Sequence, residues 1–300
     1  MDHSTFSRLS APDKARLRNS AKIAQQMENV WAARISDAVE AFNSQVVESI
    51  ANNGTIPDVD FEPLFVEHFF ETAIKSTRYA MTEAEEHRYI PPGSGKLAKP
   101  PAVKIPRSLA GLMQAYDAWR KNKSKAPKRA KKEALEIKKK YLQEVRSVWE
   151  KHSGDFRKGV VATQEAVVRK IQEIGKTTAR RAAGIVRTST TNYYNQARKQ
   201  FYDGSSDITH YLLIAIRDAA TSPWCTPLTV NGYRGRSGLV YSKKDPLCEK
   251  ERPACHPYCR SEYLPLNRLN PAHLKFIQDE KIQRRNHTCY PLLKGWSSSS

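Results

Sequence analysis

The sequence predicts an α+β fold, with long N-terminal helices followed by a small C-terminal α+β domain that contains a Cys/His cluster. Apolar residues recur every three or four positions through much of the first two thirds of the chain, which is the period of one helix face. After Asp203 and Gly204 the chain changes to short β-branched and aromatic stretches between glycines and prolines. Four of the five cysteines then fall within 35 residues. The 300 residues suffice for two modest domains.

Residues 1–90 are predicted to form a helical hairpin or arm. The first helix covers about residues 10–50, where apolar side chains keep the helical period. The Ser10-Ala11-Pro12-Asp13 run supplies a cap, an early proline and an acid, and Asn52-Asn53-Gly54 supplies the stop. A second helix is predicted over about residues 61–89. Its apolar face suits antiparallel packing against the first helix.

Residues 91–130 are predicted to be a Pro-rich and basic linker. Five prolines and two glycines between positions 90 and 106 exclude a regular element there. The Gly93-Ser94-Gly95-Lys96 run lacks the earlier glycine and the following Ser or Thr of a phosphate-binding loop, so we reject nucleotide binding. A further helical region is predicted for residues 131–203, with a break at Ser153-Gly154 and a joint near Gly175.

Residues 204–300 are predicted to form the small α+β domain. The β-branched and aromatic run Ile208–Ile216 is typical of a buried strand. Shorter strands are predicted at Thr229–Val230, Gly238–Tyr241 and Ser261–Leu266, and a polar helix near Pro271–Arg285, followed by a loose serine tail.

The chain carries a formal net charge of +19, and its distribution is uneven. Residues 1–95 hold 9 basic and 14 acidic residues, whereas residues 96–151 hold 17 basic and 5 acidic ones. Such a field attracts polyanions, so nucleic acid or an acidic protein surface is the expected partner, and a merely solvated charged surface is the alternative. No apolar run approaches the length of a membrane span, and the N-terminus lacks a signal peptide pattern, so we expect a cytosolic chain without a membrane partner.

The densest basic run lies between Lys121 and Lys140, with ten Lys or Arg residues against two Glu residues. Its first half has no interleaved aromatic residues that could stack on bases, so it supports only sequence-independent contact with phosphates. The side chains that we assign to nucleic-acid binding are Lys128, Arg129, Lys131 and Lys132.

Clustered cysteines in a cytosolic chain favour a metal site, because thiols stay reduced there and Zn²⁺ binds thiolates and imidazole tetrahedrally. Buried free cysteines and a disulfide formed outside the cell are the alternatives. Cys289 stands apart as a spare thiol. The predicted ligands of a structural Zn²⁺ ion are Cys225, Cys248, Cys255, His256 and Cys259.

Catalysis is the less favoured interpretation of the same cluster. Asp218, His210 and His256 could support hydrolysis by a metal-bound water, which would make the chain a zinc-dependent nuclease, but no HExxH-like spacing occurs. A Cys-His-Asp nucleophile has no local signature either. We therefore expect no enzymatic activity. The polar helix of residues 187–198, rich in hydroxyls and amides, is either a solvated face or a protein interface.

The C-terminal third contains the segments Arg217-Asp218-Ala219-Ala220-Thr221-Ser222-Pro223-Trp224-Cys225, then Asn231-Gly232, then Cys255-His256-Pro257-Tyr258-Cys259-Arg260-Ser261. Together these three segments resemble the Mu F-like minor capsid family, the head morphogenesis proteins of tailed phages. The helix from Arg187-Thr188 to Ala197-Arg198 also fits the family. The similarity covers about residues 180–266. It departs from the family at Ser189, which replaces an acid, and at Ser261, which replaces a cysteine, while Cys248 and Cys255 are additional.

The resemblance implies a virion protein present in few copies inside the phage head, near the portal vertex, and assembled in the bacterial cytoplasm. Its expected partners are the portal protein, the major capsid or scaffolding proteins, and packaged DNA. It would act in head assembly and in handling DNA. Asp218, Thr221 and Arg260 belong to the structural motif of the family, and we expect Asp218 and Arg260 to pair across the small domain.

Overall fold

The computed structural model of the protein describes residues 9–86, 107–122, 126–215, 239–244 and 261–284. Within these ranges the chain is mostly helical, with six helices and one three-stranded antiparallel sheet, in agreement with the predicted α+β class. None of the described helices contains an apolar stretch long enough to cross a membrane. All five cysteines lie outside the described ranges.

The helices α1 to α5 precede the sheet and α6 follows it. In chain order the elements are α1 (Ala11–Asn53), α2 (Glu62–Glu86), α3 (Arg107–Asn122), α4 (Lys128–Arg157), α5 (Val161–Asp203), β1 (Ile208–Ala215), β2 (Leu239–Ser242), β3 (Ser261–Asn267) and α6 (Pro271–Arg284). Three expectations are corrected. Helix α3 lies inside the predicted 91–130 linker, α4 continues through the expected break at Ser153-Gly154 to Arg157, and α5 continues through Gly175, where a joint was expected.

The ends of α1 follow the predicted signals. The side-chain oxygen of Ser10 accepts a hydrogen bond from the backbone N–H of Asp13 at 3.2 Å, which satisfies one of the unpaired donors of the first turn. At the other end Gly54 takes a left-handed conformation with φ 64°, and its N–H donates to the carbonyl of Ile50. The helix is therefore delimited by local sequence.

Helix α5 is the central element of the helical bundle, because α1, α2 and α4 all pack along it. The predicted hairpin of the first two helices is not the main contact, since α1 packs chiefly on α5. These two helices are antiparallel, as Ser20 near the start of α1 meets Tyr194 near the end of α5. The buried apolar core includes Trp31, Ile35, Phe61, Phe65, Ile137, Tyr141, Val167 and Ile171.

A glycine permits the close approach of α1 and α5. A Cβ atom at Gly175 would lie 2.3 Å from Cγ of Asn43, well inside van der Waals contact. Asn43 is itself held in place, because its Oδ1 accepts a hydrogen bond from the Tyr141 hydroxyl at 3.0 Å. The uninterrupted α5 therefore uses Gly175 to seat a neighbouring helix.

The sheet has the order β2-β1-β3, so the buried strand predicted over Ile208–Ile216 is its central strand. Residues on one face of β1, Leu212 and Ile214, pack with Leu17 of α1 and Phe276 of α6. The opposite face packs against the ends of α2 and α5. Burial of both faces explains why β1 has a continuous apolar run rather than an alternating one. The predicted strand Thr229–Val230 lies outside the described residues.

Candidate functional site

The segment Ser189–Lys199 of α5 is buried on nearly every side, although most of its side chains are polar. In this segment only Gln196 is even partly exposed. It is covered by α1, α2, α4 and β3 of the same chain, through the contacts described below. The prediction of a solvated face or of a protein interface is therefore wrong for this segment. Its polar groups bond within the protein instead.

The most buried charges form the Arg198 cluster, which consists of Arg16, Glu83, Arg198, Tyr202 and Glu262. The Arg198 guanidinium is 2% exposed and donates from Nη2 to both carboxylate oxygens of Glu83, at 2.9 and 3.0 Å. Its Nη1 donates to Glu262 at 3.3 Å. The Tyr202 hydroxyl donates to Glu83 at 2.6 Å, and Nε of Arg16 does so at 3.3 Å. The cluster thus joins α1, α2, α5 and β3.

The two carboxylates of the Arg198 cluster have different affinities for protons. Burial alone would raise the pKa of Glu83, but the charges of Arg198 and Arg16 hold it below its usual value. Burial raises the pKa of Glu262 to about 7, against a partial opposing effect of Arg198. The difference follows from geometry, because Glu83 takes the bidentate contact and a second arginine, while Glu262 has one longer contact to Arg198.

A second buried polar contact fixes the start of α1 to α6. Nε2 of His273 lies 3.2 and 3.3 Å from the two carboxylate oxygens of Asp13, and both residues are buried. Asp13 also accepts from Nη1 of Arg16 at 3.4 Å, which connects it to the Arg198 cluster. Burial opposes ionisation of Asp13, yet its contacts with His273, Ser10 and Arg16 lower its pKa. The first turn of α1 therefore bridges the helical bundle and the C-terminal domain.

Further polar contacts follow along the same buried stretch of α5. The Thr191 hydroxyl donates to Glu28 of α1 at 2.6 Å, and Nε2 of His68 in α2 lies 2.8 Å from Oγ1 of Thr190. Complete burial lowers the pKa of His68 to about 3, so its ring is neutral at physiological pH. The His68 ring lies between the rings of Trp31 and Tyr193. These groups are packed in the core and serve to hold helices together.

At this site the helix that fits the family contacts Ser261, the one residue of the Cys255–Ser261 motif that lies in the described ranges. Asn195 of α5 donates from Nδ2 to the carbonyl of Ser261 at 3.3 Å, and its Oδ1 accepts from the N–H of Tyr263 at 3.3 Å. Ser261 is the last residue of the Cys255–Ser261 motif and the first of β3. Together with the ion pair between Arg198 and Glu262, these bonds attach β3 to the helix that fits the family.

Most of the predicted site residues lie outside the described ranges. These are the proposed zinc ligands Cys225, Cys248, Cys255, His256 and Cys259, and the motif residues Asp218, Thr221 and Arg260. In the part of the chain that the structure covers, no group of three or more His, Cys, Asp or Glu side chains is arranged to hold a metal ion. His210 is described, and its Nδ1 lies 2.9 Å from Oγ1 of the neighbouring Thr209.

The predicted nucleic-acid residues lie in the first turns of α4 and differ in availability. Arg129 pairs with Glu133 at 2.9 Å, donates to Asn192 at 2.8 Å and lies over the Tyr193 ring. Lys131 pairs with Glu62 of α2 at 3.2 Å. Arg129 is half-buried in these contacts, whereas Lys131 stays exposed beside its ion pair. Lys128 and Lys132 are exposed as well.

Sequence analysis did not find the carboxylates of the Arg198 cluster. Glu83 and Glu262 are separated from Arg198 by 115 and 64 positions, and neither belongs to a recognisable motif. Arg198 itself belongs to the Ala197-Arg198 pair of the family-like helix. One signal was present in the sequence, since Glu262 begins a strand that continues as Tyr263 and Leu264, and an unpaired charge in a buried strand is costly.

Comparison with known proteins adds no relative. No family model, no curated protein and no solved structure matches the chain. Function is therefore argued from the residues and from their arrangement.

Proposed function

We propose that the chain is a minor capsid protein of a tailed phage, which acts inside the head near the portal vertex in head assembly and in handling packaged DNA. The proposal rests on the resemblance of residues 180–266 to the Mu F-like head morphogenesis family. The observation that carries it furthest is the buried contact between two of the matching segments. Asn195 and Arg198 bond to Ser261, Glu262 and Tyr263 at the end of the cysteine-containing motif.

This contact supports the proposal because the similarity would carry little weight if its segments were scattered over the molecule. Instead, the family-like helix and the strand that follows the motif form one packed unit, although 64 positions separate Arg198 from Glu262. Each member of a buried ion pair also needs the other, since removal of one member leaves an unpaired charge in the interior. The two segments are thereby tied to one another in this chain.

The chemistry of the Arg198 cluster favours a structural role over a catalytic one. Arg198, Glu83 and Glu262 are each at most 2% exposed, and each is in an ion pair. A catalytic group must reach a bound substrate, and these groups contact only protein. The cluster would keep the C-terminal domain fixed on the helical bundle, as a component of a stable particle requires.

The structural Zn²⁺ ion is a further part of the proposal. Four cysteine thiolates and the imidazole of His256 offer more than the four donors that a closed tetrahedral site requires. Zinc at this site would stabilise the domain through its binding free energy and would not supply a reactive water.

Location inside the head is tested by protection from protease. Purified DNA-filled heads are treated with protease before and after they are opened by freezing and thawing, and the chain is followed by immunoblot. We expect the chain to survive in intact heads and to be digested in opened ones, with the major capsid protein as the loading control. Digestion in intact heads, or absence of the chain from heads, would contradict the proposal.

A further inference from the structure

Helix α5 carries a straight row of cations on its exposed side. Arg169, Lys176, Arg180 and Arg187 are all exposed, and their spacing of 7, 4 and 7 residues places them within an arc of about 40° on a helix of 3.6 residues per turn. At 1.5 Å per residue the row is about 27 Å long. We call these four residues the α5 row.

The α5 row is not used to hold the fold together. In the described part of the chain none of its four side chains forms an ion pair, whereas the nearby Arg181 pairs with Glu144 of α4 at 3.4 Å. The opposite side of α5 is occupied by core residues such as Val167, Ile171 and Val186. Exposed cations in register on a rigid helix thus have no structural partner here and are available to an external one.

We infer that the α5 row binds the phosphate backbone of double-stranded nucleic acid without regard to sequence. Duplex DNA carries one negative charge per about 1.7 Å of axis, so a row of this length faces about 16 phosphates. Three of the four cations are arginines, whose planar guanidinium matches phosphate oxygens. Between Arg180 and Arg187 the residues next to the line of the row are the buried Ala183 and the half-buried Gly184, so no bulky side chain separates the two arginines.

The composition of this face favours a nucleic acid over an acidic protein. Protein interfaces are anchored by large aromatic or apolar side chains in their centre. Within about 40° on either side of the row's midline the other residues of the stretch 162–187 are small or acidic: Ala162, Glu165, Glu173 and Ala183. The face therefore offers charge without an apolar anchor. Glu173 lies between Arg169 and Lys176, so the strongest contact is expected at Arg180 and Arg187.

The surface differs from the one that the basic run predicted. Two of the four residues in that run, Arg129 and Lys131, already form ion pairs with Glu133 and Glu62 of the same chain. If the proposed function holds, packaged DNA is the duplex that the α5 row contacts, and the inference rests on that function only for the identity of its natural ligand. Binding itself is a property of the purified chain and can be measured without phage particles.

The test compares two variants that lose the same charge. The first removes the α5 row as R169Q/K176Q/R180Q/R187Q. The matched control removes four exposed cations from four other helices, as K22Q/R78Q/K121Q/K275Q. Both are made in the full-length chain and checked for unchanged circular dichroism and melting temperature. Affinity for a 30-base-pair duplex is then measured by fluorescence anisotropy over a series of NaCl concentrations.

For the wild-type chain, the logarithm of the association constant should fall linearly with the logarithm of the salt concentration. Duplexes of different sequence should bind with equal affinity. Because each phosphate contact contributes about 0.9 to this slope, loss of the α5 row should lower its magnitude by about three to four, and the control by less than about one. An equal decrease in both variants would show that net charge alone is responsible. Either that result or an unchanged slope without the row would overturn the inference.

Particle incorporation separates this inference from the proposed function. If the α5-row variant still enters heads in wild-type amounts while its DNA affinity falls, both stand. If its DNA affinity is unchanged but incorporation is lost, the row contacts a protein and the inference fails. If the wild-type chain is absent from heads yet binds duplex through the row, the proposed function fails and the inference stands.

Discussion

Replacement of Arg198 by methionine should destabilise the protein severely. The change keeps most of the side-chain volume but removes the guanidinium that contacts Glu83 at 2.9 Å and Glu262 at 3.3 Å. Glu83 then keeps only Arg16 and the hydroxyl of Tyr202, and Glu262 keeps the hydrogen bond with the Ser20 side chain. Removal of one partner from a buried ion pair costs about 3–5 kcal/mol. With a shift of about 2–4 °C per kcal/mol, the melting temperature should fall by about 10 °C.

The loss should also depend on pH. Because the pKa of Glu262 is raised to about 7, this carboxyl is mostly protonated at pH 6 and mostly ionised at pH 8. Arg198 opposes the effect of burial, so its removal raises the pKa of Glu262 further. Above pH 7 the folded variant must either hold an unpaired buried charge or bind a proton that the unfolded chain has released. We expect the destabilisation to be larger at pH 8, and we expect the double variant with Glu262→Gln to recover part of it at that pH.

Arg181→Met is the matched control, since Arg181 lies on the same helix and pairs with Glu144 at a comparable 3.4 Å. Both side chains of that pair are about a third exposed, so the loss should stay below about 1 kcal/mol. Differential scanning calorimetry of the full-length variants measures the difference. If Arg198→Met and Arg181→Met melted within about 2 °C of each other, the structural role of the Arg198 cluster would be refuted. If Arg198→Met does not fold, Arg198→Lys, which retains the charge, provides the comparison.

The remaining predictions concern pH, packing and metal. Glu262→Gln should gain stability relative to wild type as pH rises from 5 to 8. In the folded wild type the carboxyl has a pKa of about 7 and keeps a proton that the unfolded chain releases near 4.5, so the stability that the protonated carboxyl gives the wild type is lost as pH rises through 7. Equal differences in melting temperature at all pH values would count against this prediction. Gly175→Ala should lower the free energy of unfolding by about 1–3 kcal/mol, because the added methyl group overlaps Asn43. Gly154→Ala, which has open space around it, should raise the free energy of unfolding by up to about 1 kcal/mol through helix propensity. Thermal melts in which Gly154→Ala is the less stable variant would disprove the packing account. Cys255→Ser with Cys259→Ser should remove bound zinc, as measured by mass spectrometry of metal content, and wild-type protein free of zinc would end the metal proposal.

The elements that the sequence predicted well are those encoded locally. The cap at Ser10, the stop at Gly54 and the central strand β1 each depend on a few adjacent residues, and all were found where expected. Helix α3 was missed because the prolines before it dominated the pattern of the predicted linker. An isolated glycine weakens a helix, so Gly175 predicts a joint in the sequence. In the structure the missing side chain of Gly175 instead leaves space for the side chain of Asn43.

The candidate site could not be predicted because its contacts are long-range. The polar run Ser189–Lys199 has the composition of a solvated helix, and only the tertiary fold shows that carboxylates from α2 and β3 cover it. Likewise, Lys128 and Arg129 are neighbours in sequence with equal formal charge, yet Arg129 is engaged with Glu133 and Asn192 while Lys128 is exposed. Charge in a sequence locates cations, and only the fold distinguishes those available to a ligand.

The minor capsid proposal is tested most directly by counting the chain in particles. Quantitative mass spectrometry of purified proheads and mature heads gives its copy number relative to the portal protein of the same particles. The account predicts a few copies per particle. Absence from both would contradict it, and the basic surface of α5 would then belong to a nucleic-acid-binding protein that acts outside the virion.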